Sequence, residues 1–249
     1  MLGAMNFITT ILNMRAPGKS SKLKSQFNIN RYNHVICEKQ KYILEKPLSL
    51  EQILIGSLLG DGCITKSGRG LFHYRFKQST VHAEYFFFIY SIFEPYLTLG
   101  SPSISCYFDK RYEKLYESLI LQTRPKYNNI LNIEKLEQMF YIINKNGNRI
   151  KKIPVDIIYK LSPISLAIWI MDDGHFYHNG IYLNVQSFKL DDIKLLILAL
   201  KNLNITSKKV QVSGKKDMWR IYIPASNINK IRDHVLPFMT KSMYYKLGL

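Results

Sequence analysis

The chain has 249 residues and a formal charge of +17, with 35 Lys and Arg against 18 Asp and Glu. Its length suffices for one large domain or two small ones with a real core, and its longest apolar runs, Tyr85–Phe93 and Ile164–Met171, fall well short of the roughly 20 residues that cross a bilayer. Three cysteines without a C-x-x-C spacing, Cys37, Cys63 and Cys106, exclude a disulfide framework or a zinc ribbon. The cationic excess favours a polyanionic partner, because neutralising phosphates releases counterions and drives association without any reading of sequence. Residue usage is heavy in Phe, Tyr, Met, Ile, Asn and Lys, all written with A/T-rich codons, which suggests an A/T-rich genome such as an organelle's.

Residues 1–47 read as a basic, flexible N-terminal extension, with APGKSSK at 16–22 as a breaker. The first 37 residues hold five Lys or Arg and no acid; a transit peptide, the translated tail of an upstream reading frame and a disordered basic arm all fit that composition. From Leu48 the texture becomes globular. The apolar run LIGSLLGDG at 54–62 reads as a helix that starts at Ser49, with Gln52 as a capping-box partner, and stops at Gly. HYRFKQS at 73–79 follows as a strand, then an apolar helix over 81–93, strands at 103–109 and 114–122, and a helix over 133–144.

The same order then recurs. LAIWIMDDG at 166–174 lies in a helix that starts at Ser162 with Pro163 in its first turn, followed by a strand at 181–187, a helix over 190–203, strands at 208–214 and 217–224, and a helix over 225–235. The two Asp-Gly stops, Asp61 and Asp173, are 112 residues apart. The expected fold class is therefore α+β, two pseudo-symmetric repeats at 48–153 and 154–249. Each repeat spells αββαββ and closes in a further helix. So few helices leave one face of each antiparallel sheet open.

Alternation says what that face carries. Leu183 and Val185 oppose Tyr182, Asn184 and Gln186; Val210 and Val212 oppose Lys209, Gln211 and Ser213; Trp219, Ile221 and Ile223 oppose Arg220 and Tyr222; Tyr74 and Phe76 oppose His73, Arg75 and Lys77. The outer face is thus expected to be polar and cationic, with Arg75, Lys77, Asn184, Gln186, Lys209, Gln211, Arg220 and Tyr222 as candidate contacts to base edges and phosphates. His175 and His178 lack a second ligand pair and read as a solvated loop.

A helix C-terminus carries partial negative charge, so a carboxylate there is disfavoured. The placement of Asp61 and Asp173 makes sense if a hard cation takes one carboxylate from each helix together with free helix-end carbonyls. That requires the two ends to meet. Gly56 and Gly60, four apart on one face, permit such close approach, whereas the second motif carries Ile168 and Asp172 with bulky Trp169 beside them, so contact from that side must come through Ala167 or a shifted crossing.

LIGSLLGDG and LAIWIMDDG, each followed by a strand ending in Gln-Ser, resemble the two signature helices of the LAGLIDADG homing endonucleases in their single-chain, two-repeat form. The resemblance covers about residues 48–249. It implies a saddle of two αββαββα units with the signature helices at the pseudo-twofold axis and both sheets in the DNA major groove. It also implies that Asp61 and Asp173 ligate Mg²⁺ with help from the carbonyls of Gly60 and Asp172. A late lysine in each repeat then offsets phosphate charge: Lys246 in the second, and Lys151 or its neighbour Lys152 in the first, with Lys151 favoured. Gln78 and Gln186 align by neighbours but not by strand parity, so their jobs need not match.

The function so implied is double-strand cleavage of a long asymmetric DNA target by Mg²⁺-dependent hydrolysis, carried out by a monomer in the mitochondrion and serving intron mobility. An RNA maturase that assists splicing of its own intron RNA is the alternative on the same fold. A DNA-binding regulator with decayed catalysis is a third.

Overall fold

A computed structural model describes residues 49–98, 101–215 and 217–249; the basic extension at 1–47, with Cys37, lies outside the described residues. In chain order the first half runs α1 (Leu50–Leu59), β1 (Cys63–Lys66), β2 (Phe72–Ser79), α2 (Ala83–Phe93), β3 (Ser103–Asp109), β4 (Lys114–Gln122), α3 (Asn128–Leu131), α4 (Ile133–Phe140), β5 (Tyr141–Ile143) and β6 (Arg149–Lys151). The second half runs α5 (Ile157–Lys160), α6 (Pro163–Asp173), β7 (Gly174–Tyr177), β8 (Gly180–Asn184), α7 (Leu190–Asn202), β9 (Lys208–Gln211), β10 (Trp219–Ile223) and α8 (Ile228–Val235), and closes in 3-10 turns at Leu236–Phe238 and Lys241–Leu247. The two four-stranded sheets have the same order, β1-β2-β4-β3 and β7-β8-β10-β9, with antiparallel pairing throughout. Identical order in both halves is what a duplicated unit produces.

The two motif helices form the centre. Seven consecutive residues of α1, Ile53 to Leu59, are buried, as are Ser165 to Met171 of α6; a helix apolar on every side belongs inside a core rather than on its surface. Their contact depends on missing side chains. A Cβ on Gly56 would lie 2.4 Å from the Ser165 carbonyl oxygen and 2.8 Å from Ile168 Cβ, and one on Gly60 would lie 2.4 Å from Asp172 Cβ. The second helix therefore meets the first through Ser165, Ile168 and Asp172, one face at three- and four-residue spacing, rather than through Ala167. At the start of α6, Ser162 Oγ accepts the Ser165 N–H and Ser165 Oγ accepts the Ser162 N–H, a capping box with Pro163 in the first turn. Ser49 makes no such side-chain cap for α1.

Several elements depart from the sequence expectation. The helix expected over 133–144 stops at Phe140, and Tyr141 begins the hairpin β5–β6, whose turn is tied by Asn144 Oδ1 accepting the N–H groups of Asn146 and Asn148. Consecutive β-branched residues at 142–143 and an Asn-Gly-rich turn favour pairing over another helical turn. The first strand of each hairpin after a motif helix, β1 and β7, joins the strands expected at 73–79 and 181–187. β8 ends at Asn184, so Gln186 and Ser187 lie beyond it while Gln78 and Ser79 close β2.

The helix-side face of each sheet is apolar: Ile64, Tyr74, Phe76, Leu119 and Leu121 in the first half, Ile181, Leu183, Ile221 and Ile223 in the second, all buried. The register corrects two expectations for the other face. Lys208 and Val210 pair with Tyr222 and Arg220, whereas Lys209 and Gln211 pair with Ile221 and Trp219. Edge strand β9 is thus shifted by one residue in parity, which turns every side chain to the opposite face. Lys208 Nζ stands 5.7 Å from the Tyr222 ring centre and Lys209 Nζ lies 4.9 Å from that of Trp219. His73 has the expected parity, opposite Thr65, but is buried, with its Nδ1 2.9 Å from the Thr123 carbonyl oxygen.

Candidate active site

The C-terminal ends of α1 and α6 bring three acids together. α1 closes early: the N–H groups of Gly60 and Gly62 both bond the Ser57 carbonyl, at 3.0 and 2.8 Å, so Asp61 stands outside the helix and is exposed. Its backbone N–H donates to Asp172 Oδ2 at 3.1 Å. Its own Oδ2 accepts from Gln78 Nε2 at 2.9 Å. Asp173, in contrast, is the last residue of α6, half-buried. Its carboxyl is pushed up to about 7, first by burial and then by the charge of Asp61, with Lys246 and Lys151 opposing. Asp172 is also pushed well above the usual carboxylate range, by burial and then by Asp61, against the hydrogen bonds it accepts from Tyr85 and from Asp61 N–H.

One lysine serves each helix end. Lys151, which ends β6, places Nζ 2.8 Å from the Gly62 carbonyl oxygen and 3.5 Å from that of Gly60. Lys246, in the last 3-10 turn, donates to the carbonyls of Met171 and, at 2.8 Å, Asp172. Ammonium groups at helix-end carbonyls satisfy orphan acceptors and oppose the negative end of the dipole. Burial pushes both ammonium groups down, and the surrounding acids resist that shift. Of the two adjacent lysines the hairpin turns Lys151 to these carbonyls, while the Lys152 backbone N–H bonds Phe140. The carbonyls of Gly60 and Asp172, expected to assist a metal ion, are each faced by an ammonium group.

An acid raised to about 7 contributes stability at low pH that disappears as the pH rises: it is fully present below the unfolded value near 4 and lost as the pH climbs through 7. In metal-free buffer, Asp173→Asn is expected to raise the melting temperature at pH 8 and to leave it unchanged at pH 4, measured by calorimetry at both values.

The open faces carry the remaining candidates. In the first sheet Arg75 and Lys77 lie opposite Gln122 and Ile120; in the second, Asn184 and Arg220 are partners. Arg75 and Arg220 are half-buried on these faces, and the Nε atom of each is itself buried without a hydrogen-bond partner. The Tyr182 and Tyr222 rings pack at a tilt with centroids 4.8 Å apart, and Tyr177 is 6.4 Å from Tyr182. Gln186 Nε2 bonds Asn184 at 3.3 Å and does not repeat the Gln78 contact. His175, in β7, and His178, in its turn, are exposed. Tyr85 is a site residue that sequence reading missed: its hydroxyl donates to Asp172 Oδ1 at 2.6 Å from within an aromatic run that has the pattern of core packing.

The acidic groups at the helix ends offer oxygens, and burial first, then repulsion from Asp61, pushes the Asp173 carboxyl up to about 7. A hard divalent cation fits that donor set and relieves that repulsion. Among the described residues no cluster of three or more His, Cys, Asp or Glu is placed to hold a metal ion, and both Asp172 carboxylate oxygens are engaged, by Tyr85 Oη and Asp61 N–H.

Residues 51–231 match the model of the LAGLIDADG DNA endonuclease family. Among curated proteins the chain is 31% identical over 226 residues to the cytochrome b mRNA maturase bI2 of Debaryomyces hansenii, covering 86% of this chain and 80% of that protein. It is 28% identical over 208 residues to the DNA endonuclease I-ChuI of Chlamydomonas applanata, covering 80% and 94%. Among solved structures it shares its fold with the homing endonuclease I-WcaI bound to its DNA recognition sequence, with a TM-score of 0.64 and 24% identity over 94% of this chain and 96% of that one.

Proposed function

Because the chain belongs to the LAGLIDADG DNA endonuclease family, we propose that it is a site-specific, intron-encoded DNA endonuclease that makes a double-strand break in a long asymmetric target. The observation that carries this reading is the meeting of Asp61 and Asp173 at paired helix ends, each with a lysine on the adjacent carbonyls. In this proposal the repeats divide at 48–153 and 154–249, and one chain supplies both halves of the site, so it acts as a monomer. Unequal strands in the two halves match an asymmetric target, since a symmetric site would call for identical reading surfaces.

Asp61 and Asp173 would hold the divalent cation, Mg²⁺ in this proposal, with the free lone pairs of the Gly60 and Asp172 carbonyls beside them. When bound, that cation supplies Lewis-acid polarisation of water and of the phosphate. Lys151 and Lys246 add positive charge fixed before the reaction begins, where charge grows on the phosphate oxygens. Arg75, Lys77, Asn184, Arg220, Tyr222 and Lys208 hold the duplex against the open faces, and the exposed Lys209 and Gln211 sit at the edge of the second sheet. A mitochondrial location is supported by the residue usage and by the likeness to a cytochrome b mRNA maturase.

The test is incubation of the purified chain and Mg²⁺ with a plasmid carrying the joined exon sequences that flank its intron. Cutting at the junction supports the proposal, and an intact plasmid counts against it. In the same assay Lys151→Met is expected to slow cutting about 100-fold or more, while Lys152→Met stays within about threefold of the parent chain. Equal losses would remove the assignment of Lys151. The 31% likeness to a maturase favours a second reading, assistance to intron RNA splicing; an intron that excises equally well without the protein excludes it.

A further inference from the structure

We propose that Asp172 and Tyr85 form a positioning pair that sets the place of Asp61 and makes the two motif acids mechanically unequal. The proposal rests on the reading of Asp61 as a cation-holding group. Where the first motif has Gly60, the second has Asp172, and the absence of a side chain on Gly60 makes room for it, since a Cβ there would lie 2.4 Å from Asp172 Cβ.

Both carboxylate oxygens of Asp172 are committed. Oδ1 accepts from Tyr85 Oη at 2.6 Å, and Oδ2 accepts from the Asp61 backbone N–H at 3.1 Å. Tyr85 belongs to α2 of the first half and is fully buried. A first-half tyrosine therefore orients a second-half carboxylate, which in turn fixes first-half backbone. Early closure of α1 on the Ser57 carbonyl frees the Asp61 N–H for this bond.

Asp61 is then held twice, by Asp172 at its backbone and by Gln78 at its carboxylate. Among the described residues the twin acid has no matching pair of hydrogen bonds: Asp173 remains inside α6, and Gln186 turns to Asn184. Packing alone does not call for a carboxylate here, because an apolar side chain of similar size fills space without the cost of burying charge. A group that orients a metal-holding residue is expected to tune cation affinity more than duplex affinity.

Tyr85→Phe keeps the ring and its edge contact with Phe76, at 5.8 Å between centroids, and removes only the donor. Relative to the parent chain, Tyr85→Phe and Asp172→Asn are each expected to raise the Mg²⁺ concentration for half-maximal cutting about 10-fold. Full cutting should return at high Mg²⁺, and affinity for the same duplex in EDTA should stay within about twofold. The double variant should be no worse than the poorer single one, because the two residues act as one unit. An unchanged Mg²⁺ requirement in Tyr85→Phe, or additive losses in the double variant, overturns the proposal.

Mn²⁺ binding to the protein alone, read from the loss of the free-ion paramagnetic resonance signal, gives the same comparison without cutting. A parent chain that binds Mn²⁺ more tightly than Tyr85→Phe but never cuts DNA supports the pair and contradicts the endonuclease reading. Equal Mn²⁺ affinities contradict the pair, whatever the cutting assay shows. Should Asp172→Asn fail to fold, the Tyr85→Phe measurements decide.

Discussion

Asp61→Asn and Asp173→Asn are each expected to lower double-strand cleavage by about 10³-fold or more, while affinity for the target duplex in metal-free buffer stays within about threefold. Asparagine keeps the size of the side chain and one oxygen acceptor, so the helix contact survives and the lost property is the negative charge proposed to hold a cation. Each acid stands at a helix C-terminus beside other acids, where the dipole disfavours a carboxylate and a bound cation would favour one. Separation of supercoiled, nicked and linear plasmid by gel electrophoresis checks the result. If either variant cuts both strands at the parent rate, the site is assigned wrongly.

Gly56→Val carries the largest expected effect on stability. The new Cβ would fall 2.4 Å from a backbone oxygen and 2.8 Å from Ile168 Cβ, inside the contact between two helices that are buried on every side. Neither helix can retreat without opening the core against its own sheet. The cost expected is about 3 kcal/mol or more, which for a domain of this size lowers the melting temperature by roughly 6–12 °C. Gly68→Ala is the control, since a Cβ there meets nothing within 4 Å, and its melting temperature should move by no more than about 2 °C. Thermal denaturation followed by circular dichroism compares the two; equal shifts would show that the helix contact does not limit stability.

The duplication was legible because its signals are local. Two apolar runs stop at Asp-Gly, and alternating strands follow each in the same order; periodicity and stop residues need no tertiary information. The acids could be named for the same reason, whereas Lys246 came only from the resemblance to the LAGLIDADG family. The hairpin β5–β6 was not legible, since Leu-Glu-Gln-Met-Phe continues into Tyr-Ile-Ile without a breaker and the turn residues come only afterwards. That hairpin places Lys151, so the choice between adjacent lysines rested on an unseen element.

Strand parity in β9 failed for a different reason. Alternation gives the period of two but not the phase at an edge, where Lys209 and Gln211 on the helix-side parity remain exposed and both faces tolerate polar groups. The Tyr85–Asp172 bond joins residues 87 apart, from an aromatic run that reads as core and a motif position that reads as a spare acid. Only the crossing of α1 and α6 brings them together.

If the chain cuts DNA as proposed, the two motif acids share a cation site. Crystals of the protein with its duplex, soaked in Mn²⁺ and measured at the manganese absorption edge, locate the ion directly. Anomalous density within about 2.5 Å of carboxylate oxygens from both Asp61 and Asp173 is the predicted result. Density at neither acid, or at one of them alone with the other turned away from the phosphate, would contradict it.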